Sequence, residues 1–255
     1  MDADLVLETR GLTKEFRGFI AVKDVDLRVR RGTIHALIGP NGAGKTTVFN
    51  LVTRFLPTSG GRILYKGRDI TATRPAEVAR LGMVRSFQIS AVFPHLTVLE
   101  NVRIALQNRL TRDTYRFWKS ERCLDRLNDR ALDLIESVGL GGSEQQKATD
   151  LSYGRKRALE VATTLALDPE VMLLDEPMAG MGHEDIGRIT ALIRRLAKDR
   201  TVLMVEHNLS VVADLSDTIT VLQRGQVLAE GSYAEISRDP QVRQAYMGSA
   251  DAMSH

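Results

Sequence analysis

The chain of 255 residues contains a single cysteine, Cys123, which excludes an internal disulfide and is typical of a reducing compartment. No apolar run reaches the length of a membrane-spanning helix, and the N-terminal segment MDADLVLETR lacks the apolar core of a signal peptide. Repeats and low-complexity tails are also absent. We therefore expect a soluble, cytoplasmic chain that reaches a membrane only through a partner.

An excess of charge of one sign is also missing, because 35 basic residues face 32 acidic ones and the net charge is +3. This slight excess gives no reason to expect a nucleic-acid partner, which calls for a basic stripe or a recognised module. Apolar residues make up 43% of the chain, which is enough for a packed core. The length suits one large α/β domain or two small ones.

A glycine-rich stretch follows the apolar run Ile34–Ile38, a predicted strand, and precedes Val48–Val52, a predicted helix. It matches the pattern G-x-x-x-x-G-K-[ST], whose glycines let backbone N–H groups converge on phosphate oxygens beside a helix N-terminus. We expect Lys45 to contact the β- and γ-phosphates and the Thr46 hydroxyl to bind Mg²⁺. The predicted phosphate loop consists of Gly39, Pro40, Asn41, Gly42, Ala43, Gly44, Lys45, Thr46 and Thr47.

A second candidate site lies at the end of the apolar run Val171–Leu174, which predicts a strand buried in a parallel sheet. The run ends in Asp175 and Glu176, and α/β sheets place their sites at the carboxyl ends of strands. One acid can hold Mg²⁺ and the other can act as a base toward water. The alternative, an acidic turn after a strand, fits many proteins, but a phosphate loop in the same chain favours a catalytic pair.

Polar residues close two further predicted strands. Gln88 is the last residue of the predicted strand Met83–Gln88, where it could bind Mg²⁺ or orient water. His207 follows the strand Thr201–Val205 and is the only one of the five histidines at the end of a core strand. We interpret the other four as structural or solvated.

The remaining chain predicts a β-rich beginning and a helical middle. Residues 4 to about 32 predict β structure, with one strand running through Val25, Leu27 and Val29. Near a turn at Gly18, Phe16 and Phe19 either pack in the core or offer a face on which adenine stacks. The sequence also predicts helices that begin at the N-cap Thr97 of a capping box with Glu100, at Glu121, and after Ser152. Apolar residues spaced for one helix face support the second and third of these helices, and Gly139 is expected to end the second. The aromatic and basic segment 111–122 predicts either a partner surface or packing within these helices.

Taken in order, the segments GPNGAGKT, SFQ, LSYGR, MLLDEP and VEH resemble the nucleotide-binding subunits of ATP-binding-cassette (ABC) transporters. The resemblance covers nearly the whole chain, and the LS-x-G element before the acidic strand is peculiar to that superfamily. Within it, the long insert after Gln88, the EPMAG run and the ending QVRQAYMG are most similar to ATPases of branched-chain amino acid importers.

The resemblance implies an α/β fold, with a P-loop ATPase core sheet, an N-terminal antiparallel β subdomain and a helical signature subdomain. It implies one ABC ATPase domain over residues 1–255. Its core with the β subdomain would span about 1–88 and 168–232, the helical subdomain about 89–167, and a C-terminal helical tail about 233–255.

The same resemblance implies a role for each matching residue around the ATP that the chain itself binds. Phe16 would stack on adenine, and Gln88 would join the Mg²⁺ and water shell and sense the permease. Asp175 would hold Mg²⁺, Glu176 would be the general base, and His207 would contact the γ-phosphate and position the attacking water.

Ser152 and Gly154 would bind the γ-phosphate of an ATP held by a second copy, so a dimer is required. The sequence departs from the family pattern LSGGQ, since Tyr153 replaces a glycine and Arg155, which adds positive charge, replaces a glutamine. It also carries Gly182 where the family has an aspartate that communicates between the two ATP sites.

The implied partners are two integral-membrane permease subunits, a second copy or a related ATPase, and, indirectly, an extracytoplasmic substrate-binding protein. The implied place is the cytoplasmic face of the inner membrane, as a peripheral subunit. Alternatives within transport are the ATPase of a urea or amide importer and a lipopolysaccharide-extracting ATPase. A soluble ABC ATPase of DNA repair or translation would need coiled-coil insertions or two cassettes. A P-loop GTPase would need an Asn-Lys-x-Asp motif.

Overall fold

The computed structural model describes residues 4–86, 92–110 and 121–250. Its strands are β1 (Leu5–Phe16), β2 (Phe19–Val25), β3 (Arg28–Arg30), β4 (Ile34–Ile38), β5 (Gly60–Tyr65), β6 (Arg68–Asp69), β7 (Met83–Ser86), β8 (Val171–Asp175), β9 (Thr201–Val205), β10 (Thr218–Gln223) and β11 (Gln226–Gly231). Its helices are α1 (Lys45–Val52), α2 (Pro75–Arg80), α3 (Val98–Leu110), α4 (Glu121–Ser137), α5 (Tyr153–Ala166), α6 (His183–Leu196), α7 (Leu209–Leu215), α8 (Tyr233–Ile236) and α9 (Pro240–Ala250).

The chain forms two compact units, each built from separate stretches of sequence. The first unit contains Met1–Arg85, Glu170–Met178 and Ile193–His255. The second unit contains Ser86–Pro169 and Ala179–Leu192.

An antiparallel sheet opens the first unit, with strand order β2-β1-β5-β6 and with β3 pairing to β1. The sequence predicts one strand through Val25, Leu27 and Val29, and this prediction is wrong because β2 ends at Val25 and β3 begins at Arg28. All three side chains are nevertheless buried. The two short strands pair with different stretches of β1, so a break in the backbone leaves the same apolar face inward.

The main sheet of the first unit has six strands in the order β11-β10-β4-β9-β8-β7. Neighbouring strands among β10, β4, β9 and β8 run parallel, and every residue of β4, β8 and β9 is buried. This confirms the prediction of parallel strands buried on both faces. Leu37 lies opposite Val205, which lies opposite Asp175, so the carboxyl ends of three strands meet at one edge.

Three helices pack together in the second unit, namely α3, α4 and α5. The capping box before α3 is confirmed, because the Thr97 N–H donates to Glu100 Oε2 and the Glu100 N–H donates to Thr97 Oγ1, at 2.7 and 3.2 Å. Gly139, with φ of 74°, ends α4 as predicted. The predicted apolar face of α4 is buried at Leu127, Ala131, Leu134, Ile135 and Val138.

Two further observations bear on membranes and partners. Among the residues that the structure describes, no helix combines the length and apolar character needed to cross a bilayer. The aromatic side chains of segment 111–122, Tyr115, Phe117 and Trp118, lie outside the described residues.

Candidate nucleotide-binding and catalytic site

The residues 39–44 connect β4 to α1 as a tight loop, and Lys45, Thr46 and Thr47 form the first turn of α1. Gly39, Gly42 and Gly44 have φ angles of 149°, 76° and 101°, a region of backbone space that favours glycine. A side chain at Gly39 would also collide with the carbonyl oxygen of Leu222. The loop conformation therefore requires glycine at these positions.

The side chain of Lys45 folds back into this loop. Its Nζ donates hydrogen bonds to the carbonyl oxygens of Gly39 and Pro40, at 2.7 and 3.0 Å. Burial lowers the pKa of the ammonium group, while the carboxylates of Glu176 and Asp175 act in the opposite direction. The lysine is therefore held beside both carboxylates, where a phosphate would give it a charged acceptor in place of neutral carbonyls.

One face of the loop is open. Asn41, Gly42 and Thr46 are exposed, whereas Gly39 and Ala43 are buried. A cavity of about 670 Å³ lies beside the loop and is lined by Pro40, Asn41, Gly42, Ala43, Gln223, Arg224, Leu228, Gln241, Gln244 and Ala245. The N-terminus of α1 adds positive partial charge, because the first N–H groups of a helix have no acceptor within the helix.

The two predicted carboxylates end β8 and begin the next turn. Asp175 is only 4% exposed, and its carboxylate forms an ion pair with the guanidinium of Arg85. Glu176 is half-buried, and its N–H donates to the carbonyl oxygen of Val205 at 2.9 Å. Its φ of 46° is uncommon for a residue other than glycine and turns the chain sharply at the strand end. The two carboxylates are thus fixed in different surroundings.

His207 is exposed at the same edge of the sheet, after β9. Its neighbour Glu206 is fully buried, and its carboxylate accepts hydrogen bonds from the backbone N–H groups of Met178, His207 and Asn208, at 3.0, 3.1 and 3.3 Å. Glu206 therefore fastens the segment after Glu176 to the segment that carries His207. Sequence reasoning missed this role, although a carboxylate that directly follows a buried strand was a usable signal.

Phe16 and Phe19 occupy the two ends of the hairpin turn between β1 and β2. They are 43% and 71% exposed, so the alternative that they pack in the core is wrong. The Nζ of Lys14 lies 5.0 Å from the centre of the Phe16 ring. The Phe16 ring therefore offers an accessible face in the first unit.

The segment LSYGR (Leu151–Arg155), called the signature segment below, belongs to the second unit. Ser152 is the N-cap of α5, as predicted. Its exposed side chain makes no capping hydrogen bond. Gly154 is buried, and a side chain at this position would collide with the carboxylate of Asp185. The Arg155 guanidinium, expected to add charge to this segment, donates to the hydroxyl of Ser143.

Two other predicted features have different outcomes. Gln88 lies outside the described residues, so its proposed place in the Mg²⁺ and water shell stays a prediction. Gly182, which stands where the family has an aspartate, is exposed, and among the described residues no atom beyond its chain neighbours lies within 4 Å of the place a Cβ would occupy.

The oxygen donors at the loop and at β8 fit Mg²⁺. The Thr46 hydroxyl is exposed, and Asp175 contributes a carboxylate beside Lys45. The described residues contain no group of three or more His, Cys, Asp or Glu side chains that could hold a metal ion by themselves. Mg²⁺ suits such a sparse set, because it keeps several waters and binds through one or two carboxylates together with substrate phosphates.

Comparison with known proteins connects this geometry to a family. The model of the ABC transporter family matches residues 22–179, and that of the branched-chain amino acid ATP-binding cassette transporter matches residues 226–252. The chain is 37% identical over 251 residues to the high-affinity branched-chain amino acid transport ATP-binding protein LivG of Salmonella typhimurium, covering 96% of this chain and 98% of that one. It is also 37% identical to the corresponding protein BraF of Pseudomonas aeruginosa, with the same coverage.

Solved structures agree with these relatives. A nucleotide-free ATP-binding cassette of an ABC transporter superposes with a TM-score of 0.84 at 32% identity, covering 95% of this chain and 98% of that one. The ADP conformation of an ATP-binding cassette gives a TM-score of 0.85 at 32% identity, covering 96% and 99%. With its phosphate loop, strand-end carboxylates and signature helix, the chain belongs to the ABC transporter family, as one of its ATP-binding subunits.

Proposed function

We propose that this chain is the ATP-hydrolysing subunit of an importer for branched-chain amino acids, and that it works as a dimer beneath two integral-membrane permease subunits. The observation that carries the proposal is the meeting of Lys45, Asp175, Glu176 and His207 at one edge of one sheet. The relatives named for branched-chain amino acid transport support the cargo. The chain acts at the cytoplasmic face of the cell membrane. An extracytoplasmic binding protein delivers the cargo on the other side and so contributes only indirectly.

Nucleotide binding uses groups that are already in place. The loop Gly39–Thr47 wraps the triphosphate, and the exposed Phe16 ring stacks on adenine. Lys45 exchanges its carbonyl partners for the β- and γ-phosphates. Thr46, Asp175 and Gln88 would hold Mg²⁺, which neutralises phosphate charge when bound.

Hydrolysis is an in-line attack of water on the γ-phosphorus. Glu176 accepts the proton of the water, the bond from the γ-phosphorus to the bridging oxygen breaks, and ADP leaves. His207 contacts the γ-phosphate and positions the water, while Lys45 stabilises the charge that develops.

The second copy, or a related ATPase, completes each site. Ser152 and Gly154 stand at the N-terminal end of α5, where the helix dipole favours an anion. The Ser152 hydroxyl makes no capping bond and can donate to the γ-phosphate held by the other subunit. Closure on two ATP molecules, followed by opening after hydrolysis, drives the permease subunits.

The variant Glu176→Gln tests this function. It removes the general base but keeps the size of the side chain, so we expect ATP binding to persist and turnover to fall by roughly 10²–10⁴. Steady-state hydrolysis and nucleotide affinity are measured on the same preparation. Near-normal turnover would refute the role of Glu176.

The same variant, purified with Mg-ATP from native membranes, identifies the partners by mass spectrometry. Co-purified multi-span permeases and a second cassette, together with binding of leucine, isoleucine or valine by the associated binding protein, support the proposal. Co-purification of a urea or amide importer complex, or of a membrane partner attached to an envelope bridge, would change the assigned cargo. The absence of any membrane protein would refute the transport role and leave the ATPase.

A further inference from the structure

The described part of the site contains a buried arginine that the roles above do not use. Arg85 ends the part of β7 that belongs to the first unit, and its side chain is only 10% exposed. One terminal nitrogen of its guanidinium pairs with Asp175 Oδ2, and the other donates to Asn50 Oδ1 at 2.5 Å. The guanidinium also lies 5.7 Å from the centre of the Phe49 ring.

Through Arg85, this arrangement joins three elements around Asp175. Arg85 comes from β7, Asn50 and Phe49 come from α1, and Asp175 comes from β8. A guanidinium is planar, so its two ends hold their acceptors in one orientation, which a lysine cannot do. Asp175 therefore reaches the site with one carboxylate oxygen, Oδ2, already engaged.

The Arg85–Asp175 pair also compensates the charge of a buried carboxylate. The Asp175 side chain is only 3% exposed, and a carboxylate buried to this extent is unfavourable without a counter-ion. The Arg85 guanidinium supplies that charge in the protein without ligand. A divalent cation that approaches Asp175 must therefore share the carboxylate with the guanidinium.

We propose that Arg85 is the positioning residue and built-in counter-ion of Asp175, which orients this carboxylate for Mg²⁺ and limits its affinity for the ion by competition. The inference rests on the proposed function only for the identity of the cation. Arg85 stands three positions before Gln88 in the sequence, and it ties β7 to the same carboxylate.

The test uses the nucleotide-free protein with Mg²⁺ alone as the probe. We expect Arg85→Met to lower the melting temperature, because Asp175 loses its counter-ion. Millimolar Mg²⁺ should then raise the melting temperature of Arg85→Met toward the wild-type value by neutralising the same carboxylate. The wild type and Arg80→Met, which removes an exposed arginine of α2, should show no comparable rise.

The double variant Arg85→Met with Asp175→Asn separates this role from packing. If Asp175 is the group that Mg²⁺ neutralises, the double variant should lose the Mg²⁺-dependent stabilisation. A destabilised Arg85→Met that Mg²⁺ does not rescue, or a rescue that persists without Asp175, would overturn the proposal. These outcomes do not depend on hydrolysis, so they leave the proposed ATPase function unaffected.

A milder change covers the case in which Arg85→Met fails to fold. Arg85→Lys keeps the charge but loses the fork that joins Asp175 to Asn50. We expect the Mg²⁺ concentration that half-saturates binding of a fluorescent ATP analogue to rise by roughly threefold relative to Arg80→Lys, because the counter-ion stays but no longer holds the carboxylate in position. An unchanged or lower Mg²⁺ requirement would contradict the positioning role.

Discussion

His35, a residue of β4, is buried away from the open face of the site. Its Nε2 lies 2.7 Å from Thr220 Oγ1, and the Thr220 hydroxyl donates to Glu230 Oε2, also at 2.7 Å. Because the only hydrogen of that hydroxyl is directed to the carboxylate, its oxygen accepts from the ring. This chain of hydrogen bonds assigns the Nε2–H tautomer to a neutral imidazole.

The burial of His35 predicts a pH dependence of stability. Burial lowers its pKa to about 4, below the value of about 6.5 expected in the unfolded chain. Between these values the unfolded chain binds more protons, so the free energy of unfolding falls as the pH drops from 6.5 toward 4. The full effect is about 3 kcal/mol.

Denaturant unfolding at several pH values between 7 and 4.5 checks this expectation. His35→Gln removes the titrating ring and should flatten the decline across this window. Parallel curves for the two proteins would show that other groups cause the loss of stability.

At the residue scale, the sequence predicted what depends on local spacing. The phosphate loop and the strand-end carboxylates stand in short patterns whose chemistry can be argued from neighbouring residues. Arg85 and Asn50 were missed because the residues that Arg85 joins are distant in sequence, Asn50 by 35 positions and Asp175 by 90. Only a structure reveals that three such residues share one hydrogen-bonded group.

Among the elements, the C-terminal helix α9 has a specific connection to the phosphate loop. It packs against β11, with Val242 and Ala245 buried. Burial raises the pKa of the Tyr246 hydroxyl to about 12, while the backbone of Gly39 acts in the opposite direction. Helix α9 therefore places a side chain beside the first glycine of the loop.

Replacing this hydroxyl should affect both stability and nucleotide binding. We expect Tyr246→Phe to lower the free energy of unfolding by about 1 kcal/mol, the usual size of a lost polar contact, and to weaken ATP binding because the backbone of Gly39 loses a polar neighbour. Calorimetry and denaturant unfolding measure the two quantities. Tyr233→Phe, at a more exposed tyrosine of α8, is the control, and equal effects from both variants would contradict the role of Tyr246.

The elements were predictable where hydrophobic periodicity is strong. Continuous apolar runs correctly indicated β4, β8 and β9, and the spacing of apolar residues indicated α4 and α5. The break between β2 and β3 was not predictable, because alternation of buried and exposed residues continues across it. The pattern indicates which side chains are buried. It does not indicate where the backbone stops pairing with one stretch of β1 and begins pairing with another.

At the scale of the whole molecule, the family match extends over most of the chain, while one sequence departure concerns the proposed dimer. Gly182 replaces the aspartate that is expected to connect the two ATP sites. The structure has space for a side chain at this position, so the substitution Gly182→Asp should fold normally. The cargo and the partners could not be derived from the motifs, because the motifs serve ATP and not the transported molecule.

Restoring the aspartate tests how the two sites communicate. In the complex with its partners, we expect Gly182→Asp to raise the Hill coefficient of ATP hydrolysis with little change in the melting temperature of the isolated subunit. Gly187→Asp is the matched control, because Gly187 is also exposed and an added side chain there also meets open space. An unchanged Hill coefficient in Gly182→Asp would indicate that the sites communicate through other residues.

The left-handed backbone of Glu176 has a consequence for engineering and for evolution. A residue other than glycine in this conformation costs roughly 1 kcal/mol, so the subunit gives up stability at the very residue proposed as its base. Exchange for glycine would relax the backbone while removing the carboxylate. Selection for heat resistance alone would thus favour an inactive protein, and a thermostable active variant must gain its stability at other positions.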